Sequence, residues 1–280
     1  GHLTPLVHAL LSAASKIEGI QKTSDEGIRQ GCGLASFNFC KVIHPVVMAG
    51  VEAGEQVEVY VVFDMDDGYL VGDLAELIPI FRLLKAKFAA IGLTLVASKS
   101  KLLANDPNYG REVLSQHPDL QISMGALEGV DTGTAQNGDG LGIMCAGIPL
   151  GDDKYINGML HKKLTRIEKE NDRLITMLAQ PSTQGLAAIA SYCRVPMLGW
   201  ECQVLPPASM APFTKLLDAS ILKMMTAATR QDYAGDGIDP LTKQRLRLPK
   251  TMRGGFVRSA TSVAPDAYVS GIARVITALP

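Results

Sequence analysis

The sequence predicts an α+β protein: an antiparallel sheet with helices on one face, followed from residue 152 by a mainly helical region. Three observations carry this expectation. Two short β-prone runs, Val59 to Phe63 and Tyr69 to Val71, flank Asp64-Met65-Asp66-Asp67-Gly68, the pattern of a hairpin with carboxylates at its tip. Apolar residues recur at helical spacing on both sides of that hairpin, through Leu34 to Val47 before it and Leu74 to Phe88 after it. Beyond Asp152 the periodicity is helical.

Composition sets the outer bounds. A chain of 280 residues that is 47% hydrophobic and 5% aromatic can bury one large core or two modest ones. The expected division is 1–151 and 152–280. No run of eighteen uncharged apolar residues is present, and the first residues lack a basic start followed by an apolar run, so the expectation is a soluble intracellular protein, nuclear or cytoplasmic, with no membrane partner. Cys32, Cys40, Cys145, Cys193 and Cys202 are odd in number and carry no Cys-x-x-Cys spacing, which points to reduced thiols. None of the five histidines has a zinc-like pairing. A formal net charge of −1 excludes a global basic footprint for nucleic acid. Locally, Lys243, Arg245, Arg247, Lys250, Arg253 and Arg258 fall in one segment without an acidic residue. That segment either tracks a phosphate backbone or is a solvated basic loop.

In chain order, Leu3 to Ile17 reads as a helix with Leu6, Leu10, Leu11 and Ala14 on one stripe and Thr4-Pro5 at its start. Gly27, Gly31 and Gly33 then form a glycine-rich turn, which either receives an anion at the start of the next helix or is simply structural. The helix that follows is expected to stop at Gly50. After the hairpin, Asp73 caps a helix through Leu74, Leu77, Ile78, Phe81, Leu84 and Phe88, kinked or restarted at Pro79 and ended at Gly92. Leu93 to Val96 reads as a strand, with Lys99 just beyond it. Asn105 to Gly142 is looser, with strands expected near Leu120 to Met124 and Leu141 to Ala146 and a loop over Gly129 to Gly140. Asp152 and Asp153 cap a long helix striped by Ile156, Leu160, Leu164, Ile167, Leu174 and Leu178 and ended by Pro181. Helices over Thr183 to Cys193 and Ala211 to Thr229 follow.

The acidic tip admits two readings from its residues. Asp-Asp-Gly is ordinary turn chemistry. Against that, Val-Tyr-Val-Val-Phe offers no polar face to water and predicts a buried hairpin, and adjacent carboxylates on such a hairpin suit a hard divalent cation.

The order Gly27-x-x-Gln30-Gly31-x-x-Leu34, then an apolar strand ending in Met65-Asp66-Asp67, then Gly92-Leu93 with Lys99 downstream resembles the palm of reverse transcriptases of the non-long-terminal-repeat retroelement type. Gly147-Ile148-Pro149-Leu150-Gly151 is similar to the turn that grips the primer in those enzymes, and Arg253 to Ala260 is similar to a segment near their ends. The resemblance implies a polymerase-like palm over 1–151, a helical thumb or connection region over 152–280, and Mg²⁺-dependent (or Mn²⁺-dependent) RNA-directed DNA synthesis. The implied partners are an RNA or DNA template with primer, and deoxynucleoside triphosphates. It places metal ligation on Asp66 and Asp67, a role near the leaving pyrophosphate on Lys99, and contacts to template and nucleotide on Gln30 and Gly31 with Arg29 beside them. Lys243, Arg245, Arg247, Lys250 and Arg253 are then candidates for backbone contacts.

The chain departs from that family at several points. The family's further aspartate, on a strand preceding the glutamine motif, is expected before Gly1. Asp64 stands where an aromatic residue is usual, Cys32-Gly33 where Asp-Pro is common, and Val96-Ala97 where Asn-Pro often occurs. Asp64 adds a third carboxylate, and three together repel one another unless a cation neutralises them. Two functions follow: a reverse-transcriptase fragment of an active parent protein, or a degenerate, non-catalytic palm that binds nucleic acid or acts as a scaffold.

Overall fold

The computed structural model describes residues 15–16, 23–24, 35–229, 239–248, 250–252, 255 and 257–278. Over these the protein is mixed α and β, mostly helical with small two-stranded sheets. It divides into two compact units, one ending at Ser123 and the other beginning at Met124.

The first unit opens with β1 (Ser15–Lys16) paired antiparallel to β2 (Thr23–Ser24). Ser15 and Lys16 were expected within a helix; they lie just beyond Ala14, where the apolar stripe ends, and the remainder of that expected helix lies outside the described residues. Helix α1 (Ala35–Glu55) does not stop at Gly50. Gly50 and Gly54 are buried and let neighbours approach: a Cβ on Gly50 would come 2.7 Å from Leu84 Cδ2, and one on Gly54 would meet the carbonyl oxygen of Val59. Strands β3 (Tyr60–Asp64) and β4 (Asp67–Val71) follow.

Helix α2 (Leu74–Ala90) runs as one helix through Pro79. Asp73 caps it, its Oδ1 accepting from Ala75 N at 2.8 Å. Its end is a Schellman arrangement: Leu93 N donates to Phe88 O and Gly92 N to Ala89 O, with Gly92 at φ 79°. The expected strand over Leu93 to Val96 does not form. The segment packs Leu93 and Leu95 on the core but has no ladder partner among the described residues. The expected single sheet is therefore absent, and each sheet has two strands. Ile43 and Val46 of α1, Val59, and Ile80, Leu84 and Phe88 of α2 form the core beneath the β3–β4 hairpin. A second cluster joins Leu74 and Ile78 to Val113 of α3 (Pro107–Gln116) and to Leu120. Strand β5 (Lys101–Leu102) pairs with β6 (Ser123–Met124).

In the second unit β7 (Gly142–Cys145) and β8 (Ile148–Gly151) form a hairpin in register Gly142↔Gly151 through Cys145↔Ile148. Its two-residue turn has Ala146 at φ 47° and Gly147 at φ 81°, the left-handed pair of a type I′ turn. Asp152 then joins the hairpin to α4 (Asp153–Leu178): one carboxylate oxygen accepts from Tyr155 N at 2.8 Å, the other from Gly140 N at 2.9 Å and Leu141 N at 2.6 Å. Ile148 enters the same core as Leu160, Leu164 and Ile167 of α4, so this hairpin belongs with the helices rather than with residues before 124. Helix α5 (Thr183–Ala188) passes into a π-helical turn at Ile189–Arg194 and a 3₁₀ turn at Val195–Leu198. Helices α6 (Gly199–Val204), α7 (Pro207–Thr229), α8 (Pro240–Arg247) and α9 (Ala260–Ala278) complete it. Met210, Phe213, Leu217, Ile221 and Met224 of α7 face the α4 stripe, with Ala260 and Ala264 of α9 in the same core. Among the described residues no helix is long and apolar enough to cross a membrane.

Candidate nucleic-acid and metal site

Residues 59–72 are held from below. Val61, Phe63 and Leu70 point into the core of α1 and α2, and the Phe63 and Phe88 rings lie 5.6 Å apart, tilted. Antiparallel register pairs Tyr60 with Val71, Val62 with Tyr69 and Asp64 with Asp67. Opposite residues share a face, so these six lie together on the side away from the core. Tyr60 is 73% exposed, Val71 62% and Val62 56%, and Asp64 and Asp67 are exposed beside them. The expectation of a hairpin buried on both faces is thus corrected. The apolar run does not alternate in polarity, yet only its alternate residues are covered, because helices pack on a single face.

The turn is also shorter than Asp-Asp-Gly implied. It consists of Met65 and Asp66, with Met65 at φ 57°, while Asp67 is already the first residue of β4. Gly68 lies in the strand, and its role is close approach: a Cβ there would come 2.6 Å from the Phe63 ring. Asp66 and Asp67 adjoin at the tip as expected, but Asp67 faces Asp64 across the register and Asp66 occupies the bend. Among the described residues no group of three or more His, Cys, Asp or Glu side chains comes together to hold a metal. The tip offers exposed carboxylates in pairs.

Helix α1 packs against the hairpin. Cys40 Sγ lies 3.8 Å from Met65 Sδ, so the helix that follows Gln30 and Gly31 reaches the underside of the acidic turn. Arg29, Gln30 and Gly31 themselves lie outside the described residues. Lys99 is exposed at the end of a 3₁₀ turn (Ala97–Lys99) whose Ala97 is buried, and no ion pair joins it to Asp66 or Asp67 among the described residues.

The basic segment is helical in part. Asp239 caps α8, accepting from Leu241 N at 2.9 Å and Thr242 N at 3.1 Å; a hydrogen bond from the Thr242 side chain, with these backbone bonds adding to it, holds its carboxyl below the usual carboxylate range. Arg245 and Arg247 are exposed on the last turn of this helix. The side chains of Lys243 and Lys250, and Arg253 altogether, lie outside the described residues. Past the segment, Asp218 of α7 anchors the start of α9, accepting from Ser259 Oγ at 2.6 Å and Ala260 N at 2.7 Å.

Comparison with protein-family models, curated proteins and solved structures returns no match.

Sequence reasoning missed two features of these surfaces. The facing of Asp64 and Asp67 was available from the hairpin alternation once the turn was confined to two residues. Trp200 had no local signal. It lies on α6, and its Nε1 donates to the carbonyl oxygen of Ala146 at 3.0 Å, across to the turn of the β7–β8 hairpin.

Proposed function

We propose that this chain carries part of a reverse-transcriptase-type palm with adjoining helices, and that its parent protein performs template-directed, RNA-dependent DNA synthesis. The observation that supports the reading is the approach of α1 to the acidic turn, Cys40 to Met65. The helix that follows the Gln30-Gly31 motif in sequence packs under the hairpin that carries Met65-Asp66-Asp67. On this reading Asp66 and Asp67 hold Mg²⁺, a cation that commonly takes one or two carboxylates and completes its shell with water and substrate phosphates. Exposed carboxylate pairs suit that coordination. When bound, the metal would activate the primer hydroxyl and stabilise the leaving oxygen. Lys99 would lie toward the pyrophosphate. Gln30, Gly31 and Arg29 would contact template and nucleotide, and Arg245 and Arg247 the nucleic-acid backbone together with Lys243, Lys250 and Arg253.

A second reading, a non-catalytic palm that binds nucleic acid, is favoured by one feature: Asp64, which stands opposite Asp67, takes the place where the family it resembles carries an aromatic residue. Primer extension on an RNA template with Mg²⁺ separates the two. The full natural protein should incorporate deoxynucleotides, and the Asp66→Asn, Asp67→Asn double variant should not. A folded protein that binds primer-template and incorporates nothing, or whose incorporation survives the double substitution, sinks the enzyme reading.

A further inference from the structure

We propose that the open side of α9 is a dimerisation face, covered by the α9 of a second copy of this chain running antiparallel to it. The proposal stands apart from the nucleic-acid reading above and uses none of its residues. Helix α9 turns one side inward: Ala260 and Ala264 are buried in the core, and Gly271 lies so close to α6 that a Cβ there would strike the carbonyl oxygen of Gln203. At about 100° per residue, Pro265, Tyr268, Val269, Ile272, Val275 and Ile276 fall together on one arc beside that line, about 120° wide. Four of them are open to water, Val269 at 66%, Ile272 at 41%, Val275 at 61% and Ile276 at 64%. Local helix stability does not account for this set, because Val and Ile are weaker helix formers than the Ala, Glu or Lys that suit an unpacked helix surface. Their advantage comes when they pack.

Three properties of the face fit a second copy. It carries no charge: the two charged residues of α9, Asp266 and Arg274, both fall outside the arc, and Arg274 Nη1 donates to Gln203 Oε1 at 3.4 Å. Two identical copies of such a face meet without bringing like charges together. A lipid surface is the poorer match, since an interfacial helix lines its polar side with Lys and Arg and this one has a single cation. The spacing also supplies a register. Pro265, Tyr268, Ile272 and Val275 recur at three, four and three, the a and d positions of a heptad. Antiparallel helices related by a twofold axis at the level of Ser270 set Pro265 of one copy against Val275 of the other and Tyr268 against Ile272, with Val269 and Ile276 bordering the seam. The area agrees. The exposed fractions of the four, with the open parts of Pro265 and Tyr268, come to about 500 Å² per copy and about 1,000 Å² for the pair, the size of a specific but weak and reversible dimer.

Sedimentation velocity on the whole 280-residue chain, without nucleic acid, reads the mass between about 1 and about 200 µM. The expected result is 29.9 kDa at the dilute end, rising toward twice that with a dissociation constant in the micromolar range. Ile272→Glu should weaken the dimer by about tenfold or more, because it places a carboxylate in an apolar seam. Val269→Glu, at the most open of the four positions, gives the same reading should Ile272→Glu not fold. Val263→Glu makes an equal change at a 40% exposed position on the opposite side of the helix and should leave the dimer as it is. The double variant Tyr268→Lys with Ile272→Glu sets the direction: antiparallel helices bring the new charges together as opposites, so it should dimerise more tightly than either single variant. Circular dichroism melts establish which variants fold. A mass of 29.9 kDa at every concentration, folded Ile272→Glu and Val269→Glu proteins that dimerise like the wild type, an equal loss in Val263→Glu, or a double variant weaker than both singles overturns the proposal. A monomer that sediments with phosphatidylcholine vesicles overturns it too and assigns the face to lipid. None of these outcomes bears on primer-template binding, so the reading above stands or falls separately.

Discussion

Removing Lys163 should destabilise the second unit far more than an ordinary surface lysine would. Glu201 is 2% exposed in its side chain and Lys163 30%, and Lys163 Nζ donates to Glu201 Oε1 across α4 and α6. The other carboxylate oxygen, Oε2, has no hydrogen-bond partner among the described residues. Lys163→Met therefore leaves a buried carboxylate with neither counter-charge nor donor, which typically costs about 3–5 kcal/mol. Glu201→Gln is milder, about 1–2 kcal/mol, because the partly exposed ammonium can turn to water. Replacing both, Lys163→Met with Glu201→Met, should restore stability to within about 1 kcal/mol of the wild type, since a buried pair exchanged for apolar side chains of similar size is often neutral. The double variant is then more stable than Lys163→Met alone by about 2 kcal/mol or more. Urea denaturation followed by the fluorescence of Trp200, next in sequence to Glu201, reads this directly. A Lys163→Met protein within about 1 kcal/mol of the wild type would refute the reasoning, because that is the range of an exposed ion pair.

Other substitutions test the packing that positions the two hairpins. Gly54→Ala gains about 1 kcal/mol of helix propensity, but its Cβ meets the Val59 backbone, so a net loss of about 1–3 kcal/mol is expected in urea denaturation, and a stabilised variant would show that the hairpin is free to shift. Asp152→Ala removes the acceptor for Gly140 N, Leu141 N and Tyr155 N and should cost about 2–4 kcal/mol, with Asp152→Asn intermediate, read as a fall in Tm. Burial, with the Glu201 charge adding to it, pushes the Cys202 thiol from 9.0 up to about 11. Its folded-state value lies above the unfolded one, so its contribution to stability is complete below about pH 9 and is lost as pH rises through about 11. Cys202→Ala should flatten that decline, and in the native protein a thiol reagent at neutral pH should label exposed Cys40 and Cys193 well before Cys202.

What could be seen in the sequence was local. The α2 cap at Asp73 and its stop at Gly92, the α4 cap at Asp152 and the stripe through Leu160, Leu164 and Ile167 each depend on residues within one or two turns, and all stand as expected. Gly50 misled because a glycine read as a helix stop serves in fact as a crossing point for Leu84, and the two uses have the same local signature. Gly68 misled similarly: next to two aspartates it resembled a turn residue, whereas the constraint on it comes from Phe63 on the opposite strand. Contacts between distant residues had no signature at all. Lys163 to Glu201, Asp218 to Ser259 and Trp200 to Ala146 each join elements whose adjacency is settled only by the packing of whole helices. At the candidate site the acidic tip and its paired aspartates were legible, and the open face was not, because a run of five apolar residues does not say which side a helix will cover.

That last point bears on how the tip is built. A two-stranded hairpin is marginal alone in water, and this one carries exposed carboxylates at its end, with Asp64 opposite Asp67. Neither strand has another strand beside it among the described residues, so the hairpin's position comes from one face only: Val61, Phe63 and Leu70 set against α1 and α2. Phe63 is central to this. Its ring lies tilted against Phe88 below, it lies against Gly68 across the register, and it directly precedes Asp64 in the chain. The separation of Asp64 from Asp67 is fixed by their pairing, but the placement of that pair relative to α1 is fixed by Phe63 in the core. The chain thus positions exposed carboxylates through apolar residues immediately behind them, and it leaves the opposite face, with Tyr60, Val62 and Val71, uncovered beside the carboxylates.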